Sequence, residues 1–144
     1  SPDPSHIFFF AIDLTSSVNR RILVESSHPR RYFPFAATGI NVTALLLTLS
    51  REGRLLRVLH TEHSRSLRDD WDENSAARRV LGEIFSDTYA LFLELWLQRN
   101  PVDIGVMAFP EVWQRVTARV HSKYPLPAPP RVTGTGGGAV HPAP

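Results

Sequence analysis

Cysteine is absent from this chain of 144 residues. That excludes a disulfide framework, a thiolate zinc site and a cysteine nucleophile, and it is compatible with a reducing compartment. Long hydrophobic runs are missing as well. The longest, Ile7 to Ile12 and Ala44 to Leu47, fall far short of the ~20 residues a membrane-spanning helix requires. No cationic segment precedes the first run and no cleavage-like site follows it, so no signal peptide is read. Charge of one sign is not in excess either. Against 14 acidic residues stand 16 basic ones, a formal net charge of +2, which gives little reason to expect nucleic acid or stable membrane insertion. Lys123 is the sole lysine and every other basic residue is Arg. The chain opens on Ser1 rather than Met and is read as a piece of a longer protein.

What is present is the composition of a soluble globular domain, 42% apolar and 21% charged. No alternating strand pattern with hairpin turns occurs, and the body, residues 7–124, reads as helical. Phe35, Val42, Leu46 and Leu49 recur at helical spacing, with Ala36, Ile40, Thr43 and Leu47 forming a second apolar face beside them. A helix apolar on two faces belongs in the middle of a domain with both faces covered. Pro34 suits its first turn, and Ser50-Arg51-Glu52-Gly53 supplies a stop. Asn74 or Ser75 can cap a long helix running to Arg99, with Val80, Ile84, Leu91 and Leu95 as one stripe and Phe85, Phe92 and Trp96 beside it. Asn100-Pro101 ends it, because the residue before proline is pushed away from helical geometry. A last helix starts at Pro110 and carries Val112, Val116 and Val120, flanked by Trp113. Ser16 or Ser17 can cap a short helix through Val24, and Ile7 to Ile12 fits a strand or a helix end. The fold class is therefore all-α, a single helical domain over residues 1–124.

Residues 125–144 differ from the rest, holding six of the 12 prolines and four of the eight glycines. Such a stretch cannot bury enough apolar area to offset its ordering entropy, so a disordered tail is expected. The run from Pro125 to Pro130 favours an extended conformation that a proline-reading domain can bind, though a plain linker is the simpler reading.

Chemistry-bearing constellations are few. His60 and His63 lie three apart with Glu62 between them. Zinc-protease spacing is four, with the Glu next to the first His, so the pair reads as solvated loop histidines. Asp69, Asp70, Asp72 and Glu73 surround Trp71, but calcium loops space their acids alternately around a central Gly. These acids instead complement the dipole of the following helix. Arg20-Arg21 and Arg30-Arg31 are the strongest basic clusters. An arginine supplied in trans can stabilise phosphoryl-transfer charge on a GTPase, yet solvated charge on a polar face is the simpler account. Asn41-Val42-Thr43 matches a glycosylation sequon inside a predicted buried helix and is set aside. No phosphate-binding glycine loop, no Gly-x-Ser-x-Gly elbow and no catalytic carboxylate pair occurs. No catalytic, cofactor-binding or metal-binding residue is assigned, and no cofactor is expected.

The segment Tyr32-Phe-Pro-Phe-Ala-Ala-Thr-Gly-Ile-Asn-Val-Thr43 resembles the YPFAxxGINxT signature of the ELMO domain. A second block, Tyr89 to Ile104, is similar to the family's late aromatic helix, and Phe8 to Phe10 with Asp13 resemble the end of an earlier one. The likeness spans residues 7–120. It implies an all-helical domain in one of two branches. ELMO-domain-only proteins act as GTPase-activating proteins on Arf and Arf-like GTPases, whereas the larger scaffolds work with DOCK exchange factors on Rac and the actin cytoskeleton. With no PH-like or armadillo-like segment visible, the first branch is the better fit and the second the alternative.

The activating branch carries its catalytic Arg in a motif of the kind Trp-x-x-x-Gly-Phe-Gln-Gly followed by Thr-Asp-Phe-Arg-Gly-x-Gly, which this chain lacks. The resemblance therefore transfers no catalytic role to Arg20, Arg21, Arg30 or Arg31. It implies a regulator rather than an enzyme, a partial ELMO domain truncated at its N-terminal side and inactive alone. An inactive truncated product is the third reading. Uncovered apolar faces cost about 25 cal/mol per Å², so low solubility is expected of this chain alone. A cytoplasmic location is expected, with any cytoskeletal or membrane association made through partners. The family reading requires cover on both apolar sides of the Tyr32–Thr43 helix.

Overall fold

The computed structural model describes residues 16–66, 73–99 and 106–129. These form five α-helices: α1 Ser17–Ser26, α2 Phe35–Arg51, α3 Leu56–Ser66, α4 Glu73–Gln98 and α5 Phe109–Lys123, the last preceded by a 3₁₀ turn at Val106–Ala108. No strand occurs among the described residues, as the all-α reading expects. The run Ile7 to Ile12, residues 69–72, Asn100-Pro101 and residues 130–144 lie outside the described residues.

Helix α4 is the spine. Its 26 residues make it roughly 39 Å long, and it packs against α1, α2, α3 and α5. Val80, Ile84, Phe85, Tyr89, Phe92, Leu93, Leu95 and Trp96 are all buried along it. The predicted stripe is thus largely present, although Leu91 is only half-buried. The helix begins at Glu73, so Asn74 and Ser75 fall within its first turn and are not its caps. On α5, Val112, Val116 and Val120 face the core as predicted, with Pro110 in the first turn. Ser16 sits at the N-cap of α1, but its side chain makes no capping bond.

Helix α2 departs from expectation on one side. Thr38, Gly39, Val42, Thr43, Leu45, Leu46 and Leu49 are buried, whereas Ala36 and Ile40 are exposed and Leu47 is half-buried. The second apolar face is therefore only partly covered among the described residues, at Thr43 and Leu47. Alanines and a single Ile lose little by facing water, so periodicity overstated how much of this helix needs a neighbour. Pro34 stands at the N-cap, one position before the first turn. The C-terminal stop is as predicted. Gly53 adopts φ 72°, its N–H donates to Ser50, and the Arg54 N–H donates to Leu49 at 3.0 Å. That pair of bonds is the Schellman pattern, which needs a left-handed residue.

Helix α3 is a second correction, because His60 was expected in a loop. Leu55 is buried, with Val58 and Leu59 packed against the core. Glu62 takes the next inward position and pairs with Arg79 of α4. An inward stripe that ends in a charge is too short to stand out by periodicity. Beyond α5, the Tyr124 carbonyl accepts from Arg54 Nη1 at 3.1 Å, and residues 125–129 are exposed irregular backbone.

Candidate functional site: the motif joint and the arginine turn

Tyr32 to Pro34 complete the link from α1 to α2 and Phe35 to Thr43 open α2, with the inner residues of the segment wedged against α4. Phe33 is 1% exposed and meets Phe92, Trp96 and Tyr89 edge-on, with ring centroids 5.2, 6.0 and 6.3 Å away. Phe35 stacks on Tyr89 at 5.5 Å. The Tyr89 hydroxyl donates to the Phe35 carbonyl at 2.6 Å, a carbonyl in the first turn of α2. Burial pushes the Tyr89 phenol well above the ordinary tyrosine range, and the neighbouring Thr38 hydroxyl partly offsets this. One turn on, Thr43 Oγ1 donates to the Gly39 carbonyl at 3.0 Å. The inner residues of the motif are thus committed to packing and to buried hydrogen bonds.

The turn that precedes the motif is different. After α1 ends, the chain makes a tight turn through His28 to Arg31. The Arg31 N–H donates to the His28 carbonyl at 3.2 Å, and the Phe33 N–H to Ser26. The Arg30 N–H donates to His28 Nδ1 at 3.2 Å. Trp96 Nε1–H donates to the Arg31 carbonyl at 2.8 Å, which ties the turn to the end of α4. The Arg31 guanidinium pairs with Glu25 at 3.1 Å, and the Arg99 guanidinium lies 3.2 Å from the Trp96 ring centre. Arg30 is exposed. Tyr32, which follows Arg31, is 61% exposed, and Met107, 91% exposed, lines an open groove along α5 with Trp113 and His121.

The other sequence candidates do not gather into a catalytic arrangement. Arg20 and Arg21 are exposed on α1, and Arg21 lines an open groove of about 560 Å³ between α1 and α4. A second groove, of about 520 Å³, runs between α4 and α5 past Asp87, Leu91, Arg119 and Lys123. His60 is exposed on α3. No group of three or more His, Asp or Glu side chains among the described residues is placed to hold a metal ion. Asn41 lies half-buried within α2. Sequence reasoning missed the Tyr89–Phe35 and Trp96–Arg31 bonds. Their one visible signal was a Tyr and a Trp on a stripe otherwise apolar, since buried rings of these types need a polar partner.

Comparison with known families matches the ELMO/CED-12 family over residues 6–113. The chain belongs to the ELMO/CED-12 family. That match holds with Ala36 and Ile40 exposed among the described residues, so membership does not require full cover on both sides of α2. Comparison with curated proteins and with solved structures finds no match. The Tyr32–Thr43 signature of this ELMO domain falls inside the matched range, and α5 continues past its end. No helix among the described residues is long and apolar enough to cross a membrane.

Proposed function

We propose that the chain is part of a GTPase-activating protein for Arf or Arf-like small GTPases. The observation that carries this reading is family membership over residues 6–113. The resemblance of Tyr32–Thr43 to the ELMO signature, and the gathering of all described helices around α4, fit an ELMO domain of either branch. In this reading the partner GTPase performs the hydrolysis and the chain is a regulator, working in the cytoplasm. The family's catalytic-arginine motif is absent from this sequence. Loss of an arginine finger costs ~10³–10⁵ in GTP hydrolysis rate, so this chain alone gives no acceleration and the longer parent protein does. The alternative is a non-catalytic adaptor linked to DOCK, Rac and the actin cytoskeleton.

Single-turnover GTP hydrolysis by an Arf-type GTPase, with this chain and with the parent protein, tests the reading. Acceleration by the parent alone supports it. Acceleration by the chain would mean that the catalytic group lies within these residues. No acceleration by either, with capture of a DOCK-type protein, would favour the adaptor.

A further inference from the structure

Helices α1 and α4 leave an open groove between them, of about 560 Å³. Val18 and Ile22 on one side and Ala90, Leu91 and Leu97 on the other give it a largely apolar lining. Ile22 is buried in the core, but Val18 is 42% exposed and Ala90, Leu91 and Leu97 are only half-buried. The groove follows α4 from Asp87 to Gln98, roughly 16 Å at 1.5 Å per residue. Asn19, in the first turn of α1, is buried and accepts from Ser86 Oγ at 3.1 Å. That bond holds the start of α1 at the Asp87 end of the groove. The chain leading into α1 carries Ile7-Phe8-Phe9-Phe10-Ala11-Ile12, six apolar residues in a row. Three residues, Asp13 to Thr15, separate this run from the N-cap Ser16, so its end stands within about 14 Å of that residue.

We propose that Ile7 to Ile12 docks in this groove, laying its phenylalanines between Val18 of α1 and Leu91 and Leu97 of α4. Three observations single out the chain's own front segment as the occupant. The run and the groove are both apolar, and each otherwise meets water. Six residues at up to ~3.3 Å each match the length of the groove. The short tether keeps the run beside the groove at an effective concentration that a free partner does not reach. The family match begins at residue 6, so the run belongs to the matched unit and not to a segment outside it. The inference is independent of the GTPase reading, because it concerns how the domain closes its own surface.

The lack of cysteine in the sequence makes each introduced thiol the sole probe. Ala90→Cys places one in the groove. Ala44→Cys, on the exposed side of α2, and Ala118→Cys, in the groove between α4 and α5, are matched controls. Maleimide labelling is measured in the full 144-residue chain, with and without the pair Phe9→Ser and Phe10→Ser. The expected result is labelling of Ala90→Cys that speeds up about tenfold when the two phenylalanines are replaced, with both controls unchanged. An unchanged rate at Ala90→Cys overturns the proposal. Acceleration at Ala44→Cys or Ala118→Cys alone also overturns it, because the run then covers another face. Protection that disappears on dilution overturns it in favour of a second copy as the occupant. Equal acceleration at all three probes reports unfolding, and oxidative cross-linking then decides. Ala90→Cys is combined in turn with Phe8→Cys, Phe9→Cys and Phe10→Cys, the other phenylalanines being kept. A disulfide within one chain in at least one pair upholds the docked run, and none in any pair overturns it.

Discussion

Tyr32 and Phe33 are neighbours in the chain and opposites in the fold. The first is 61% exposed beside the arginine turn, and the second is 1% exposed at the centre of an aromatic cluster. The same division runs along α2, where Leu49 is fully buried and Ile40, on the opposite side, is 38% exposed. An apolar residue within a family signature can thus be there to build the domain or to be displayed. Burial tells the two apart, whereas residue type does not.

Leu49→Ala sharpens this comparison most, with an expected loss of about 2–5 kcal/mol in urea unfolding, from lost burial and the cavity left behind. A loss below 1 kcal/mol on the order-of-magnitude scale of surface changes would break the division. Tyr89→Phe comes next. It removes the hydroxyl that donates to the Phe35 carbonyl, at an expected cost of about 0.5–1.5 kcal/mol. It also changes the pH response. An unfolded tyrosine releases its proton near pH 10, while burial holds that of Tyr89 on in the folded state. The unfolded state then binds fewer protons, so stability falls as pH rises above about 10. Unfolding curves between neutral and strongly alkaline pH should show a smaller alkaline loss in Tyr89→Phe than in the unmodified protein.

Gly53→Ala is expected to cost about 1 kcal/mol, because the Schellman stop holds this residue at φ 72°. An added Cβ would also lie 3.3 Å from the exposed Leu56 Cδ1. The smallest effect is expected for Ile40→Ala, about 0.5 kcal/mol in the same unfolding assay. A loss matching that of Leu49→Ala would show that the outer side of α2 is covered after all.

Much of the fold was legible in the sequence, and particular residues show why. Val112, Val116 and Val120 kept strict helical spacing, and the stop at Gly53 combined a left-handed residue with polar neighbours. Helix α3 was hidden because its inward stripe runs from Leu55 through Leu59 into Glu62, whose partner Arg79 belongs to another helix. A stripe that ends in a long-range ion pair leaves no local trace. The outer face of α2 was misread for the converse reason. Ala36 and Ile40 obey the helical period without needing cover. Of the candidate site, Arg30 and Arg31 were visible as a basic pair, but their division of labour depends on Glu25 and Trp96. The contact with Trp96 crosses 65 positions of sequence.

Urea unfolding of Phe33→Ala and Tyr32→Ala, two adjacent substitutions in one signature, tests the central claim most directly. Phe33→Ala is expected to lose about 3–5 kcal/mol, and Tyr32→Ala to stay within about 0.5 kcal/mol of the unmodified protein. Comparable losses from the two would contradict the division of the motif into a buried joint and a displayed turn.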